Sequence, residues 1–233
     1  MIEKKRIVAL LPMKANSERV KGKNFRDFCG KPLFRWILDS ILDVSEIDQV
    51  IINTDARHIL SENGLADTDR VIIRDRNPEI CGDFVSMNLV LADDIAAIPA
   101  DIYLMTHTTN PLMSSNTLLS ALKSFQQAQD SGMVDSLFTV AKVQSRFYRA
   151  DGSAVNHDPN NLIRTQDLEI WYEENSNLYI FTRESFATTN ARIGKHPMMY
   201  ESPKFESIDI DTPLDWDFAT VASQYFFKKQ CKI

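Results

Sequence analysis

Four cations crowd one short segment of an acidic chain. Lys14, Arg19, Lys21 and Lys23 fall within ten residues, although the net charge of the whole sequence is −6. The segment Met13-Lys14-Ala15-Asn16-Ser17-Glu18-Arg19-Val20-Lys21-Gly22-Lys23-Asn24 follows Pro12, which breaks the apolar run Ile7–Leu11. A loop at the carboxyl end of a buried parallel strand is where α/β sheets bind ligands. Lysines there act as point charges and arginine as a planar fork, a combination that suits a polyphosphate. A solvated basic turn is the plainer alternative, and spacing alone leaves both open.

A second constellation is Ser207-Ile208-Asp209-Ile210-Asp211-Thr212-Pro213-Leu214-Asp215-Trp216. Asp209 and Asp211 alternate with Ile208 and Ile210, so in an extended segment both carboxylates point to one side. Such a pair repels unless water screens it or a divalent cation sits between, and Mg²⁺ accepts one or two carboxylates with phosphate oxygens and waters. Asp211 or Thr212 could instead simply cap the helix that Pro213 begins.

Two further polar segments follow apolar strands. His107-Thr108-Thr109-Asn110-Pro111-Leu112 lies at the same carboxyl edge as the basic loop, with hydroxyls and an amide able to bond a polar ligand. Arg76-Asn77-Pro78-Glu79-Ile80-Cys81-Gly82-Asp83-Phe84-Val85-Ser86 offers Asp83 as a helix cap, while capping gives no account of Arg76. No G-x-S-x-G, H-E-x-x-H, Walker loop or dinucleotide fingerprint occurs, which weakens hydrolase, zincin, kinase and dehydrogenase readings.

The elements that must position these residues alternate. Strands are expected at Ile7–Leu11, Gln49–Asn53, Arg70–Arg74, Asp101–Thr106 and Ser136–Val143, with lengths and Val/Ile content suited to buried parallel strands. Helices are expected at Pro32–Leu42, Ala56–Asn63, Asp83–Ile98, Asn116–Ser131 and from Pro213 to Lys228, the last with Leu214, Phe218, Val221, Ala222 and Tyr225 on one side. This alternation predicts an α/β fold with a mainly parallel central sheet flanked by helices. After residue 145 the rhythm changes: Phe147–Val155 reads as two short strands around an Asp-Gly turn, and Asn177–Thr182 as a strand. Residues 144–175 are taken as an excursion from one domain spanning 1–233, either a partner surface or a lid.

Length and composition agree with one soluble domain: 233 residues, 44% hydrophobic and 25% charged. The acidic balance argues against nucleic-acid binding. Cys29, Cys81 and Cys231 are widely spaced and odd in number, so a reducing cytoplasm is the default. No apolar stretch approaches the ~20 residues of a membrane span, and the charged start Met1–Arg6 lacks a cleavage site behind it.

In this order, these segments resemble the cytidylyltransferases that activate sialic acids and related 2-keto-3-deoxy sugar acids such as 3-deoxy-manno-octulosonate. Pro12, Met13, Lys14, Ser17, Glu18, Lys23 and Asn24 resemble that family's P-A-R-x-x-S-K-x-x-x-x-K-N signature, and Arg76–Ser86 its R-P-x-x-L-x-x-D-x-x-S stretch. His107–Leu112 stands at Q-P-T-S-P-L. Arg164–Asp167 and Tyr172–Ile180 resemble R-x-Q-D and E-N-G-x-x-Y-I, and Ser207–Trp216 resembles S-I-D-I-D-T-x-x-D-[FW]. The resemblance implies a Rossmann-like nucleotidyltransferase fold, a homodimer made through the excursion, and transfer of CMP from CTP to the sugar acid with release of pyrophosphate. It further implies that Lys23 stabilises the α-phosphate, that Lys14 and Arg19 hold the pyrophosphate portion, and that Asp209 and Asp211 hold Mg²⁺. Leu11, Lys14, Ser17, Asn24, Arg76 and Ser86 would face CTP; His107, Thr109, Asn110, Tyr179 and Gln166 would face the sugar acid, Gln166 across the dimer. Departures are Lys14 for arginine, Glu18 for lysine with Arg19 one position later, Ala15 and Asn16 for glycines, His107 for glutamine and Ser176 for glycine. A nucleotidyltransferase using another NTP or a sugar 1-phosphate, or a non-catalytic nucleotide-sugar-binding protein, are the alternatives.

Overall fold

The computed structural model of the chain describes residues 4–230, with side chains through Tyr225. In chain order the elements are β1 (Ile7–Leu10), β2 (Asp27–Phe28), β3 (Lys31–Pro32), α1 (Leu33–Leu42), β4 (Gln49–Thr54), α2 (Arg57–Glu62), β5 (Val71–Asp75) and α3 (Met87–Ala97). They continue with β6 (Ile102–Thr106), α4 (Ser115–Asp130), β7 (Ser136–Val143), β8 (Trp171–Thr182), α5 (Arg183–Thr189), β9 (Pro197–Glu201) and α6 (Pro213–Gln230). Cys231 and the first three residues of the charged start lie outside the described residues.

Seven strands form one sheet in the order β5-β4-β1-β6-β8-β7-β9, and β2 and β3 form a separate small hairpin. β1 pairs in parallel with β4 and β6, aligning Ala9 with Val50 on one side and Leu104 on the other. β4 pairs in parallel with β5. The parallel strands therefore deliver their carboxyl ends, and the loops that follow, to one edge. β8 alone runs antiparallel, between β6 and β7.

Both faces of the sheet are covered, which is why β1 and β6 read as uninterrupted apolar runs. On one face Ala9, Leu11, Ile52 and Leu104 pack with Phe34, Ile37 and Ile41 of α1 and Leu118, Leu122 and Phe125 of α4. On the other, Val8, Leu10, Tyr103 and Phe181 pack with Leu91 and Ile95 of α3 and Phe186 of α5. Each such side chain, fully buried, contributes on the order of 1.5–3 kcal/mol. A third cluster seats α6 through Trp216 and Ala219 on Phe28, Leu33 and Ile210, with the Trp216 ring edge-on to Phe28 at 5.4 Å.

Several boundaries differ from the sequence reading. The helix expected from Asp83 begins at Met87, with Ser86 at its N-cap position, so Asp83 is no cap. β8 starts at Trp171, because β7 and β8 stay paired past a register shift, from Val140–Glu174 out to Val143–Trp171. Phe147–Val155 closes as a tight turn with a single bridge, Tyr148 to Ala154, rather than two strands. β9 and α5 had no counterpart in the sequence reading. On α6, Ala222 lies on the packed side, whereas Leu214, Phe218, Val221 and Tyr225 face outward. No helix among the described residues is long and apolar enough to cross a membrane.

Candidate active site

The basic loop is laced to the ends of neighbouring strands. Met13 N–H donates to Asn53 O at 3.0 Å, and Ala15 N–H to the Asp55 carboxylate at 2.7 Å. Asn24, buried, donates from Nδ2 to Lys14 O (2.8 Å) and accepts from the Thr108 hydroxyl (2.6 Å). Its amide thus ties the two ends of the loop together and to the strand-end segment after β6. Gly22 turns the chain at φ +62, a left-handed conformation that favours glycine, and feeds a single 3-10 turn over Lys23–Phe25.

That turn aims Lys23 inward. Its nearly buried ammonium donates to Ile210 O at 2.6 Å and lies 3.4 Å from Asp211 Oδ1. Arg19 Nη2 reaches the same oxygen at 3.0 Å. The Asp pair comes from the irregular segment leading into α6, which is anchored where Ile210 N–H donates to Thr109 O (2.9 Å) and Ile210 enters the core. Thr212, not Asp211, caps α6: its hydroxyl accepts from Asp215 N–H (3.3 Å) while Asp215 accepts from Thr212 N–H (2.7 Å), a reciprocal capping arrangement. Asp211 is left to face the cations.

Asp209 is different. Its Oδ1 is buried and has no hydrogen-bond partner among the described residues. Burial raises its carboxyl pKa, the Thr109 hydroxyl opposes that shift, and the charge of Asp211 adds to it. A buried, unpartnered carboxylate oxygen beside a second carboxylate is an arrangement that a divalent cation satisfies. No group of three or more His, Cys, Asp or Glu able to hold a metal occurs among the described residues. The pair fits Mg²⁺, which needs only one or two carboxylates when phosphate oxygens complete its shell.

A cavity of about 370 Å³ opens beside Asp211, which lines it with Lys14, Arg19, Lys23, Arg76 and His107 among others, while the more buried Asp209 stays behind the lining. Ser17, Asn24 and Thr109 also line it. Arg76 is clamped along one edge: Nε donates to Asn53 Oδ1 and Nη2 to Asn53 O, both at 2.8 Å, with Met13 O at 3.3 Å. Lys14 pairs across the cavity mouth with Asp83, which holds the Asp83 carboxyl below the ordinary range. Ser86 is exposed next to two lining residues, Val85 and Met87. Leu11 differs from expectation: its side chain is fully buried in the core and its N–H is donated to Ile51.

Of the residues expected at the sugar acid, His107 and Thr109 line the cavity. His107 is kept neutral, its pKa pulled down to about 4 by burial first, then by the charges of Arg192 and Lys23. Asn110 is fully buried and donates to Asn177 Oδ1 (2.6 Å), a bond that braces the segment from behind. Tyr179 is also buried; its hydroxyl bonds Glu174, and its pKa is pushed up to about 12 by burial and by that carboxylate. Gln166 is exposed on the excursion, away from the cavity lining.

The sequence reading missed Arg192, stacked 3.9 Å above the Tyr179 ring, and Asn53, the partner of Arg76. Asn53 carried a signal: an amide directly after the apolar run Val50–Ile52.

A family model for cytidylyltransferases matches residues 8–224. A pseudaminic acid cytidylyltransferase of Campylobacter jejuni (strain 81-176) is 23% identical over 221 residues, 92% of this chain and 94% of that protein. A CMP-N,N′-diacetyllegionaminic acid synthase of Legionella pneumophila is 26% identical, covering 91% of this chain and 93% of its own length. In fold, the chain is similar to a CMP:2-keto-3-deoxy-manno-octonic acid synthetase solved in complex with CTP. That match has a TM-score of 0.66 at 16% identity, over 94% of this chain and 99% of the other. The chain belongs to the cytidylyltransferase family of nucleotidyltransferases.

Proposed function

We propose that the protein transfers CMP from CTP to the anomeric hydroxyl of a 2-keto-3-deoxy sugar acid of the nonulosonic or octulosonic class. The hydroxyl oxygen attacks the α-phosphorus as the bond to the bridging oxygen breaks. Pyrophosphate leaves with that electron pair, and the hydroxyl proton passes to solvent. Phosphoryl chemistry of this kind is mostly positioning and charge neutralisation, which is what the cavity residues can supply. Lys23 is held at the α-phosphate end, while Lys14 and Arg19 accept the departing pyrophosphate. Arg76 and Ser86 face the nucleoside, and neutral His107 with Thr109 lies toward the acceptor. Asp209 and Asp211 would hold Mg²⁺, which supplies charge neutralisation on phosphate oxygens and acidifies the attacking hydroxyl.

The observation that carries this reading is the convergence of Arg19 and Lys23 on Asp211 Oδ1 inside the cavity. Cations and a carboxylate so placed would separate when a polyphosphate and its counter-cation enter. Incubation with CTP, Mg²⁺ and a panel of nonulosonic and octulosonic acids should release pyrophosphate with at least one acid. Silence with every acid, alongside CTP binding in a titration, would point instead to a non-catalytic binding protein. A homodimer through the excursion belongs to the same reading: Tyr148, Leu162, Ile163, Ile170 and Tyr172 are all exposed there. Light scattering should return twice the monomer mass.

A further inference from the structure

Behind the cavity lies a buried polar relay that ends on Arg76. Asn53, the penultimate residue of β4, is fully buried. Its two amide ends are used in opposite directions: Oδ1 accepts from Arg76 Nε at 2.8 Å, while Nδ2 donates to Asp94 Oδ1, also at 2.8 Å, and more weakly to Asp93 Oδ2 at 3.4 Å. Asp94, on α3, is fully buried too, and Arg74 of β5 pairs with it and with Asp93, the latter at 2.9 Å. One oxygen of Asp94 has no hydrogen-bond partner among the described residues. A buried charge with an orphaned oxygen is costly to fold, and burial lifts its pKa to about 6.

The relay has one consistent wiring. A carboxylate only accepts, so it fixes the amide with nitrogen toward Asp94 and oxygen toward Arg76. Flipping the amide would set oxygen against carboxylate and N–H against guanidinium. With Nε and Nη2 both held by Asn53, the guanidinium has one orientation, and Nη1 makes no hydrogen bond among the described residues. Arg76 lines the cavity, so that edge is available to an acceptor oxygen on a ligand.

We propose that Asn53 is a positioning residue for nucleotide binding, with Asp94 setting the direction of its amide so that Arg76 presents a fixed donor edge to the cytidine portion of CTP. This rests on the CTP reading above. Neither Asn53 nor Asp94 touches the cavity; they act through Arg76.

The test is a double-mutant cycle on the full chain, read by calorimetric CTP affinity with Mg²⁺ and by the KM–kcat split. Asn53→Ala should weaken CTP binding about tenfold, the scale of a lost charge-assisted hydrogen bond, with kcat at saturating CTP changed less than about threefold. Arg76→Ala should weaken it at least as much, and the double variant no further than Arg76→Ala alone. A general structural role would make the losses add and lower kcat with affinity. Asp94→Asn, which keeps an acceptor for Asn53, should bind within about twofold of wild type, whereas Asp94→Ala, left with only the longer Asp93 contact at 3.4 Å, should bind more weakly than Asp94→Asn and no more weakly than Asn53→Ala. Unchanged affinity in Asn53→Ala, or additive losses, would overturn the proposal. Should Asn53→Ala lose its cooperative thermal transition, the Asp94 pair decides: equal affinities for the two refute the relay. A wild-type chain that does not bind CTP sinks the nucleotide reading itself, a distinct outcome.

Discussion

Lys23 and Asp211 lie 188 positions apart in sequence, yet the lysine ammonium sits 3.4 Å from the carboxylate. Two anchors set that distance. Gly22 turns the basic loop inward, and the Ile210–Thr109 backbone bond fixes the acidic segment against the end of β6. The ammonium is almost shielded from water, so its charge acts through a low-dielectric gap rather than across solvent.

Lys23→Met keeps the stem and removes the charge. Steady-state pyrophosphate release should fall about 100- to 1,000-fold in kcat, the range for a lost charge-stabilising donor. CTP affinity should fall far less. A kcat within about tenfold of wild type would remove Lys23 from the transition state.

The two aspartates should separate by function. Asp211→Ala should abolish most turnover at any Mg²⁺ concentration. Asp209→Asn should instead raise the Mg²⁺ concentration needed for half-maximal rate, because one buried oxygen is lost and the exposed partner remains. Near-normal rates for Asp211→Ala at low Mg²⁺ would refute the metal role of the pair.

How far the sequence reached depended on what each segment is packed against. β1 and β6 were legible because both faces are covered, so nearly every position is apolar. The first half of β8 was not: Glu173, Glu174, Asn175 and Ser176 carry no strand pattern; β7 imposes the pairing of Glu173 and Glu174, and Asn175 and Ser176 fall in the register shift. β9 begins at a proline on the sheet edge, and α5 is too short, at seven residues, to show periodicity. At the site, residue types were readable but partners were not. Asp83 has the right chemistry for a cap, and only the fold reveals that Lys14, 69 positions away, claims it. Asn53 and Arg192 lie outside any motif, since each acts on another side chain rather than on the cavity.

The Lys14–Asp83 pair is half exposed and competes with a polyphosphate for the same ammonium. Asp83→Asn should therefore tighten CTP binding, by no more than about fivefold, because exposed ion pairs are worth little. The gain should shrink as salt is raised from low to physiological strength. Weaker binding in this variant would mean that Asp83 helps hold the ligand.

His107 supplies a pH signature with a definite sign. Its folded pKa, about 4, lies below the ordinary value of 6.5. Above pH 6.5 neither the folded nor the unfolded chain holds the proton, and the group contributes nothing to pH dependence. Between pH 6.5 and 4 the unfolded chain binds a proton that the folded chain refuses, so stability is lost as pH falls. Asp94 works in the opposite sense. Its folded pKa of about 6 exceeds the ordinary 3.8, so the folded chain takes up the proton first and gains stability as pH falls from 6 toward 3.8. In wild type the two slopes oppose each other. His107→Gln removes one and leaves the other, so the variant's melting temperature minus that of wild type should rise steadily from pH 6.5 to 4 and be flat above 7. Thermal melts at half-unit pH steps read this difference directly, and a difference that is flat throughout would mean that His107 titrates alike in both states.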